Sequence, residues 1–387
     1  MRYAIDAHAI GQHLTGNEVY IRSLLGAFAA LDQQSDFYTY IAVKEAEPWI
    51  PERFQLRYVS RDPFVRLGFD LSNQVRKDRP ALLHVQYTAP IICPVPIVVS
   101  IHDVSFLERP EYFTPLRRKQ LEWTVARTAR MAAKIITVSE FSRNAILRAY
   151  DLPPEKVVVA LDAANPFFRV VNRESAARRV RERFAFQGPY VLAVGDLQPR
   201  KNHIGMIQAF ASLVRANSQL THRLVIAGQD TWFSPKVREA ARASGCEDRI
   251  HFLGFVSDDD LLNLYNACDC FVFPSFYEGF GIPILEAMAC GRAVACANTS
   301  AMPEVADGAG LNFDPHRTEE ISRAMRDILV DPELRGRMER LGVQRARVFS
   351  WEKTAQQTLA VYEEVAGCPA TVHLAARDRE LILRRPE

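Results

Sequence analysis

Short apolar runs alternate along the chain with longer stretches in which apolar residues recur every three or four positions. The runs Arg2–Ile5, Phe37–Val43, Gln55–Val59, Leu82–Val85, Ile97–Ile101, Lys134–Val138 and Lys156–Ala160 predict strands. Helical patterns lie between them: Val19, Leu24, Leu25 and Phe28 share a face, and Ser139 can cap a helix that carries Ile146 and Leu147. After Asn165-Pro166 and the charged segment Arg173–Arg183 the pattern starts afresh. It runs through Tyr190–Val194, Leu224–Ala227, Ile250–Leu253, Cys270–Phe273, Ala293–Cys296 and Leu311–Phe313. Strands alternating with helices predict parallel sheets covered on both faces. The restart predicts an α/β chain of two doubly wound, Rossmann-like units, with a boundary near 165–170. A last helix, Trp351 to Val365, follows the second unit, and the 370–387 tail is basic and weakly patterned. Ligands of such sheets sit outside the carboxyl ends of the strands, so a cleft between the units and the residues just after each strand are the places to look.

Composition narrows this picture. The 387 residues carry 48 basic and 46 acidic side chains, a formal charge of +2, which gives no global field for nucleic acid. Any anion site must be local. The amino-terminal segment has no apolar leader core, and the longest near-apolar run, Ile91 to Ile101, holds two prolines and is shorter than the roughly 20 residues of a membrane span. Seven cysteines, odd in number and without a Cys-x-x-Cys pair, point to a reducing cytoplasm. No P-loop, zincin, nucleophile-elbow or metal-spaced Cys/His pattern is present, so neither metal nor cofactor is expected. Gly11 and Gly16 follow the first strand without dinucleotide spacing, which disfavours a nicotinamide enzyme.

Four segments remain. Gly195-Asp-Leu-Gln-Pro-Arg200-Lys201-Asn202 follows a strand and precedes a helix that Asn202 can cap, which sets Arg200 and Lys201 beside the positive end of the helix dipole. A bound phosphate would resolve that conflict; solvation, or pairing with an internal acid such as Asp196, is the alternative. In Pro274-Ser-Phe-Tyr-Glu278-Gly-Phe280-Gly281-Ile282-Pro283-Ile-Leu-Glu286, Pro283 fits the first turn of a helix, leaving Glu278 in the loop and Glu286 on the helix. The amides at this helix start could hold phosphate or sugar hydroxyls; alternatively Glu278-Gly279 is a plain turn and Glu286 a surface acid. Ile97–Ile101 delivers His102 and Asp103 to a strand's carboxyl end, where they could reach a ligand or merely bond to backbone. The basic segment Phe113–Lys134, with Trp123, could lie on an anionic membrane surface or be a solvated helix face.

Together these segments resemble the family-4 retaining glycosyltransferases of the GT-B fold, especially bacterial surface-polysaccharide mannosyltransferases. The resemblance spans nearly the whole chain. It rests on Ile-Asp-Ala with Gly16, Ser-Ile-His102-Asp103-Val-Ser-Phe with Pro110-Glu-Tyr-Phe113, Thr-Val-Ser-Glu-Phe-Ser-Arg143 and the Arg200-Lys201 segment. Phe-Leu-Gly254-Phe255-Val256-Ser, Glu278-x7-Glu286, Ser-Ala-Met-Pro-Glu304-Val and Phe-Ser-Trp351 complete it. Glu18, where relatives often have glycine, and Leu161-Asp-Ala-Ala-Asn-Pro166 depart from the pattern.

The resemblance implies two Rossmann-like domains facing each other across a cleft. Residues 1–168 would bind the acceptor and 169–350 the donor, with 351–387 forming a helix that crosses back, plus the tail. It implies a nucleotide-sugar donor, GDP-mannose first, and a saccharide or lipid-linked saccharide acceptor. Metal would not be needed, and the enzyme would be cytoplasmic, with peripheral inner-membrane contact left open. Arg200 and Lys201 would hold the diphosphate, with Gly16 approaching it from the other domain, and Glu286 the ribose. Glu278, with the amides of Phe280, Gly281 and Ile282, would hold the transferred sugar. Gly254, Phe255 and Val256 would meet the base through backbone groups, while His102, beside Asp103, would stand at the reacting centre. A UDP-sugar donor, a nucleotide-sugar epimerase and a non-catalytic scaffold are the alternatives.

Overall fold

The computed structural model describes residues 1–12 and 15–367, so Cys368 and the 370–387 tail lie outside the described residues. The first sheet holds β1 (Arg2–Asp6), β2 (Asp36–Ile41), β3 (Gln55–Tyr58), β4 (Leu82–Gln86), β5 (Ile97–Ser100), β6 (Lys134–Thr137) and β7 (Val157–Val159), in the order β3-β2-β1-β4-β5-β6-β7. The second holds β8 (Tyr190–Val194), β9 (Arg223–Ala227), β10 (Ile250–Gly254), β11 (Cys270–Phe273), β12 (Val294–Ala297) and β13 (Leu311–Phe313), in the order β10-β9-β8-β11-β12-β13. Every neighbouring pair is parallel.

The central strands are buried throughout, as sheets covered on both faces require: β4 and β5 of the first sheet and β11 and β12 of the second expose no residue. Each strand ends within two residues of its apolar run. In both sheets the chain reverses its direction of travel once, between β1 and β4 and between β8 and β11. At such a switch point adjacent loops diverge and leave room for a ligand. The loops after β8 and β11 are the Arg200-Lys201 and Glu278–Ile282 segments.

The final helix, Trp351–Val365, is capped by Ser350, whose Oγ accepts from the Lys353 amide at 3.2 Å. It then returns to the first unit. The Tyr362 hydroxyl lies 2.5 Å from His84 Nδ1, its ring packs on Tyr3 and Phe28, and Glu364 meets Lys134 at 2.6 Å. In the link between the sheets, the Leu161 carbonyl accepts from Thr354 Oγ1, which ties this helix to the link as well.

Of the cysteines singled out, Cys246, Cys268, Cys270, Cys290 and Cys296 are buried as free thiols and Cys93 is half-buried.

Candidate active site

The loop after β8 makes one tight turn, Pro199–Lys201, before the helix His203–Ala216. Asn202 sits between them in the left-handed region at φ 53°, which asparagine tolerates well. Its Oδ1 accepts from the Gly205 amide at 3.3 Å and its Nδ2 donates to the Pro315 carbonyl at 2.8 Å, so the cap is pinned from both sides. This geometry turns Arg200 and Lys201 toward β11, Lys201 buried and Arg200 about a quarter exposed.

Their partner is Glu278. Its Oε2 accepts from Arg200 Nη1 at 2.6 Å and its Oε1 from Lys201 Nζ at 2.7 Å. Burial alone would raise the Glu278 carboxyl, but the Arg200 and Lys201 charges outweigh it and hold the group at about 2. Lys201 responds in the opposite sense: burial and the Arg200 charge lower its pKa, while the Glu278 charge supports its protonated form. Glu278 is the only acid bonded to the pair among the described residues, while the Asp103 charge also bears on Arg200 and the Asp196 charge on Lys201. Arg200 uses Nη1 for Glu278 and the Tyr277 carbonyl, so Nη2 and Nε are available to an anion. Asp196, the alternative partner considered from sequence, instead accepts from the Gln229 amide at 3.1 Å.

The helix after the Glu278 loop, Ile282–Ala289, has Pro283 in its first turn and Gly281 as its cap at φ 108°, a conformation that favours glycine. Glu286 is buried on this helix, not a surface acid, because the helix packs between β11 and later helices; its Oε2 accepts from the Tyr265 hydroxyl at 2.9 Å. Burial pushes Glu286 up to about 7, with the Asp258 charge adding and the Tyr265 hydrogen bond opposing.

His102 comes from the other sheet. It stands just beyond β5, its ring edge-on to Tyr20 at 4.6 Å and its Nε2 3.1 Å from Gln86 Oε1. Burial holds the imidazole at about 4, so it is neutral near pH 7. With Nε2 donating to Gln86, Nδ1 is left as an acceptor. Asp103 accepts from the Ser105 amide at 2.9 Å in a local turn, and its charge also bears on Arg200. Phe280 is buried against Phe349. Gly254 ends β10 and its carbonyl accepts from the Gly228 amide; Phe255 is exposed and Val256 half-buried. Gly16 opens the helix Thr15–Leu31, and a Cβ there would meet open space. Glu18 holds the same loop from within the helix, accepting from the Gly11 amide at 3.1 Å. Among the described residues no group of His, Cys, Asp and Glu could hold a metal ion.

Residues 14–161 match the family described as Glycosyltransferase Family 4, and residues 176–345 match Glycosyl transferases group 1. O-antigen chain mannosyltransferase B of Escherichia coli is 35% identical over 267 residues, covering 69% of this chain and 70% of that protein. The chain belongs to the family-4 glycosyltransferases. A second Escherichia coli relative of the glycosyltransferase, the serotype-specific mannosyltransferase WbdA, is 28% identical over 68% of this chain but only 32% of its own length. Anabaena HepE, solved in complex with UDP and glucose, superposes with a TM-score of 0.76 at 19% identity, over 94% of this chain and 100% of HepE, and so shares the GT-B fold.

The glycosyltransferase also uses residues whose role is not legible in the sequence. Gln86, Tyr265 and Ser300, the last within the Ser-Ala-Met-Pro-Glu304 motif and accepting through Oγ from the Glu278 amide at 3.0 Å, each hold a site residue. Gln86 had one local signal, a polar residue closing an apolar strand. Tyr265 and Ser300 touch their partners only through the fold.

Proposed function

We propose that this glycosyltransferase moves mannose from GDP-mannose, with retention and without a metal, to a saccharide or lipid-linked saccharide acceptor in bacterial surface-polysaccharide synthesis. The relationship to an O-antigen mannosyltransferase supports the sugar and the setting. The observation that carries the chemistry is the Arg200–Lys201 pair at the switch point of the second sheet, where Arg200 keeps Nη2 and Nε open to an anion. Breaking the bond between the anomeric carbon and the phosphate oxygen leaves the electron pair on the diphosphate. Arg200 and Lys201 then stabilise the transition state more than the ground state. That is also the work a metal would otherwise do. Glu286 would accept from the ribose hydroxyls and Gly254, Phe255 and Val256 would border the base.

Retention rests on the family resemblance, and the state of Glu278 bears on the route by which it is reached. Both its oxygens are engaged by cations and it is fully ionised, so it is better suited to fixing a sugar hydroxyl than to forming a covalent intermediate. The acceptor hydroxyl would attack from the leaving-group side and pass its proton to the departing phosphate. His102, neutral and with a free acceptor nitrogen, would border the sugar. In this reading residues 1–168 take the acceptor, 169–350 the donor, and the helix after 350 ties them together.

The protein would work in the cytoplasm against the inner membrane. The helix Pro115–Met131 carries Arg117, Arg118, Lys119, Arg127 and Arg130 against the single acid Glu122. Arg127 donates to the carbonyls of Ala89 and Pro90, and the Ile91 amide to Leu67, which joins three segments into one face. Phe64, Phe69, Ile91, Ile92, Leu116 and Trp123 are all exposed on these segments. Apolar and basic side chains together suit an anionic bilayer. No helix among the described residues is long and apolar enough to cross one.

A thermal-shift panel of GDP, UDP and ADP tests the donor: selective stabilisation by GDP is expected, because a ligand of the native state alone raises its stability. Selective stabilisation by UDP would favour a UDP-sugar. Transfer should persist in excess chelator; its abolition, with rescue by a divalent ion, would refute the metal-free scheme. Arg200→Ala and Lys201→Ala should each lower kcat by about 100-fold or more, the order seen when one donor to a developing oxyanion is removed. Near-wild-type turnover in both would remove the diphosphate assignment.

A further inference from the structure

Two sequence motifs, of which only Ser300 enters the site described so far, meet across the two units. Glu304, from the helix Met302–Ala306, sets Oε1 3.0 Å from the Glu140 amide and Oε2 3.2 Å from the Phe141 amide. Those amides open the helix Glu140–Tyr150 of the first unit, and the next one, of Ser142, is taken by the N-cap Ser139 Oγ at 3.0 Å. First-turn amides normally turn to a nearby side chain of their own segment or to water. Here the acceptor is a carboxylate 163 positions further along the chain.

The same helix start also grips the loop that carries Glu278. Ser139 Oγ donates to the Gly279 carbonyl at 2.6 Å and Ser142 Oγ to the same oxygen at 3.2 Å. Gly279 in turn lies flat against His102: a Cβ on it would stand 2.4 Å from the His102 carbonyl oxygen, closer than real Cβ contacts come. The turn bearing Glu304 is fixed from behind, since Arg345 donates to the carbonyls of Glu304 at 2.7 Å and Val305 at 3.0 Å.

We propose that Glu304 is a positioning residue for the transfer step: it completes the cap of the Glu140–Tyr150 helix only when the two units are in contact, and so seats Gly279 and Glu278 against His102. The inference rests on the transferase reading given above. A carboxylate on two first-turn amides gains from charge-assisted hydrogen bonding and from the helix dipole. When the units separate, both sides regain water, so the net preference for contact is modest, as a site that must admit and release substrate requires. The proposed nucleotide contacts, Arg200, Lys201 and Glu286, all belong to the second unit. Affinity for the nucleoside diphosphate alone is therefore independent of Glu304, whereas the alignment of the donor's sugar with His102 is not.

The experiment measures kcat, the GDP dissociation constant and the thermal midpoint for wild type, Glu304→Ala and Glu304→Gln. Glu304→Ala should lose at least tenfold in kcat while the GDP constant stays within twofold and the midpoint is unchanged. Glu304→Gln, whose amide oxygen can still accept one of the two N–H groups, should recover part of the loss. A Ser139→Ala/Ser142→Ala double variant should likewise lose kcat at an unchanged GDP constant, with a midpoint lowered by the lost N-cap. If Glu304→Ala does not fold, the glutamine and serine variants decide. Wild-type kcat in the variants, or a kcat loss matched by a loss in GDP affinity, would overturn the proposal. Absence of transfer by the wild type from any sugar nucleotide would instead remove the transferase reading on which it rests.

Discussion

Glu278 and Glu286 are equally buried, yet their surroundings drive them apart. Glu278 has two cations within 2.7 Å and stays ionised to about 2; Glu286 has one neutral phenol and rises to about 7. Two predictions follow from that contrast. Glu278→Gln leaves the buried Lys201 and the partly exposed Arg200 without the one carboxylate bonded to them, which should cost roughly 2–4 kcal/mol of stability. A nucleoside diphosphate should restore much of the lost thermal midpoint by supplying the missing negative charge; a variant as stable as wild type without nucleotide would contradict this. For Glu286, a carboxylate accepting from two ribose hydroxyls must be ionised, so donor binding should release a proton. GDP-mannose affinity should therefore be level above pH 7 and weaken toward tenfold per pH unit below it. Glu278, depressed below its ordinary value of 4.5, keeps its contribution until the pH falls toward 2, so it adds nothing in that window. Isothermal titration between pH 5.5 and 8 reads the profile. A flat line in the wild type, or a slope that survives Glu286→Gln, would detach Glu286 from the ribose.

The strands and the loops after β8 and β11 were legible because each is a local event: an apolar run, a proline in a first turn, a capping asparagine. The pairing of Arg200 and Lys201 with Glu278 was not. Sequence placed two cations beside a helix start and asked for an anion, but it could not show that the nearest one comes from the loop after β11, because β8 and β11 become neighbours only through the switch of strand order. The burial of Glu286 was hidden for the same reason, since Tyr265 reaches it from another helix. The basic helix Pro115–Met131 has two readings from sequence, and the membrane face proposed above rests on the exposed Phe64, Phe69, Ile91 and Ile92 beside it. Sedimentation with vesicles should show binding that rises with anionic lipid content and falls with salt. A Leu116→Ser/Trp123→Ser variant should bind markedly less while its thermal midpoint holds, because both side chains are mostly in water. Equal binding to neutral vesicles, or no change in the variant, would refute the face.

Taken whole, the molecule has almost no net charge and still assembles a cationic site, since Arg200 and Lys201 are concentrated where two loops converge. Contacts that join the two units include the crossing helix through Tyr362 and His84, the link 161–166 through Thr354, and the Gly279 loop seated on His102. The third lies at the proposed reacting centre. The central claim is retaining mannosyl transfer from GDP-mannose, and the anomeric configuration of the product tests it most directly. Incubation of the protein with GDP-mannose and a mannoside acceptor, followed by nuclear magnetic resonance of the isolated product, should show a new α-mannosidic linkage with the configuration of the donor. A β-linked product, or no incorporation of mannose while another sugar nucleotide is consumed, would contradict it.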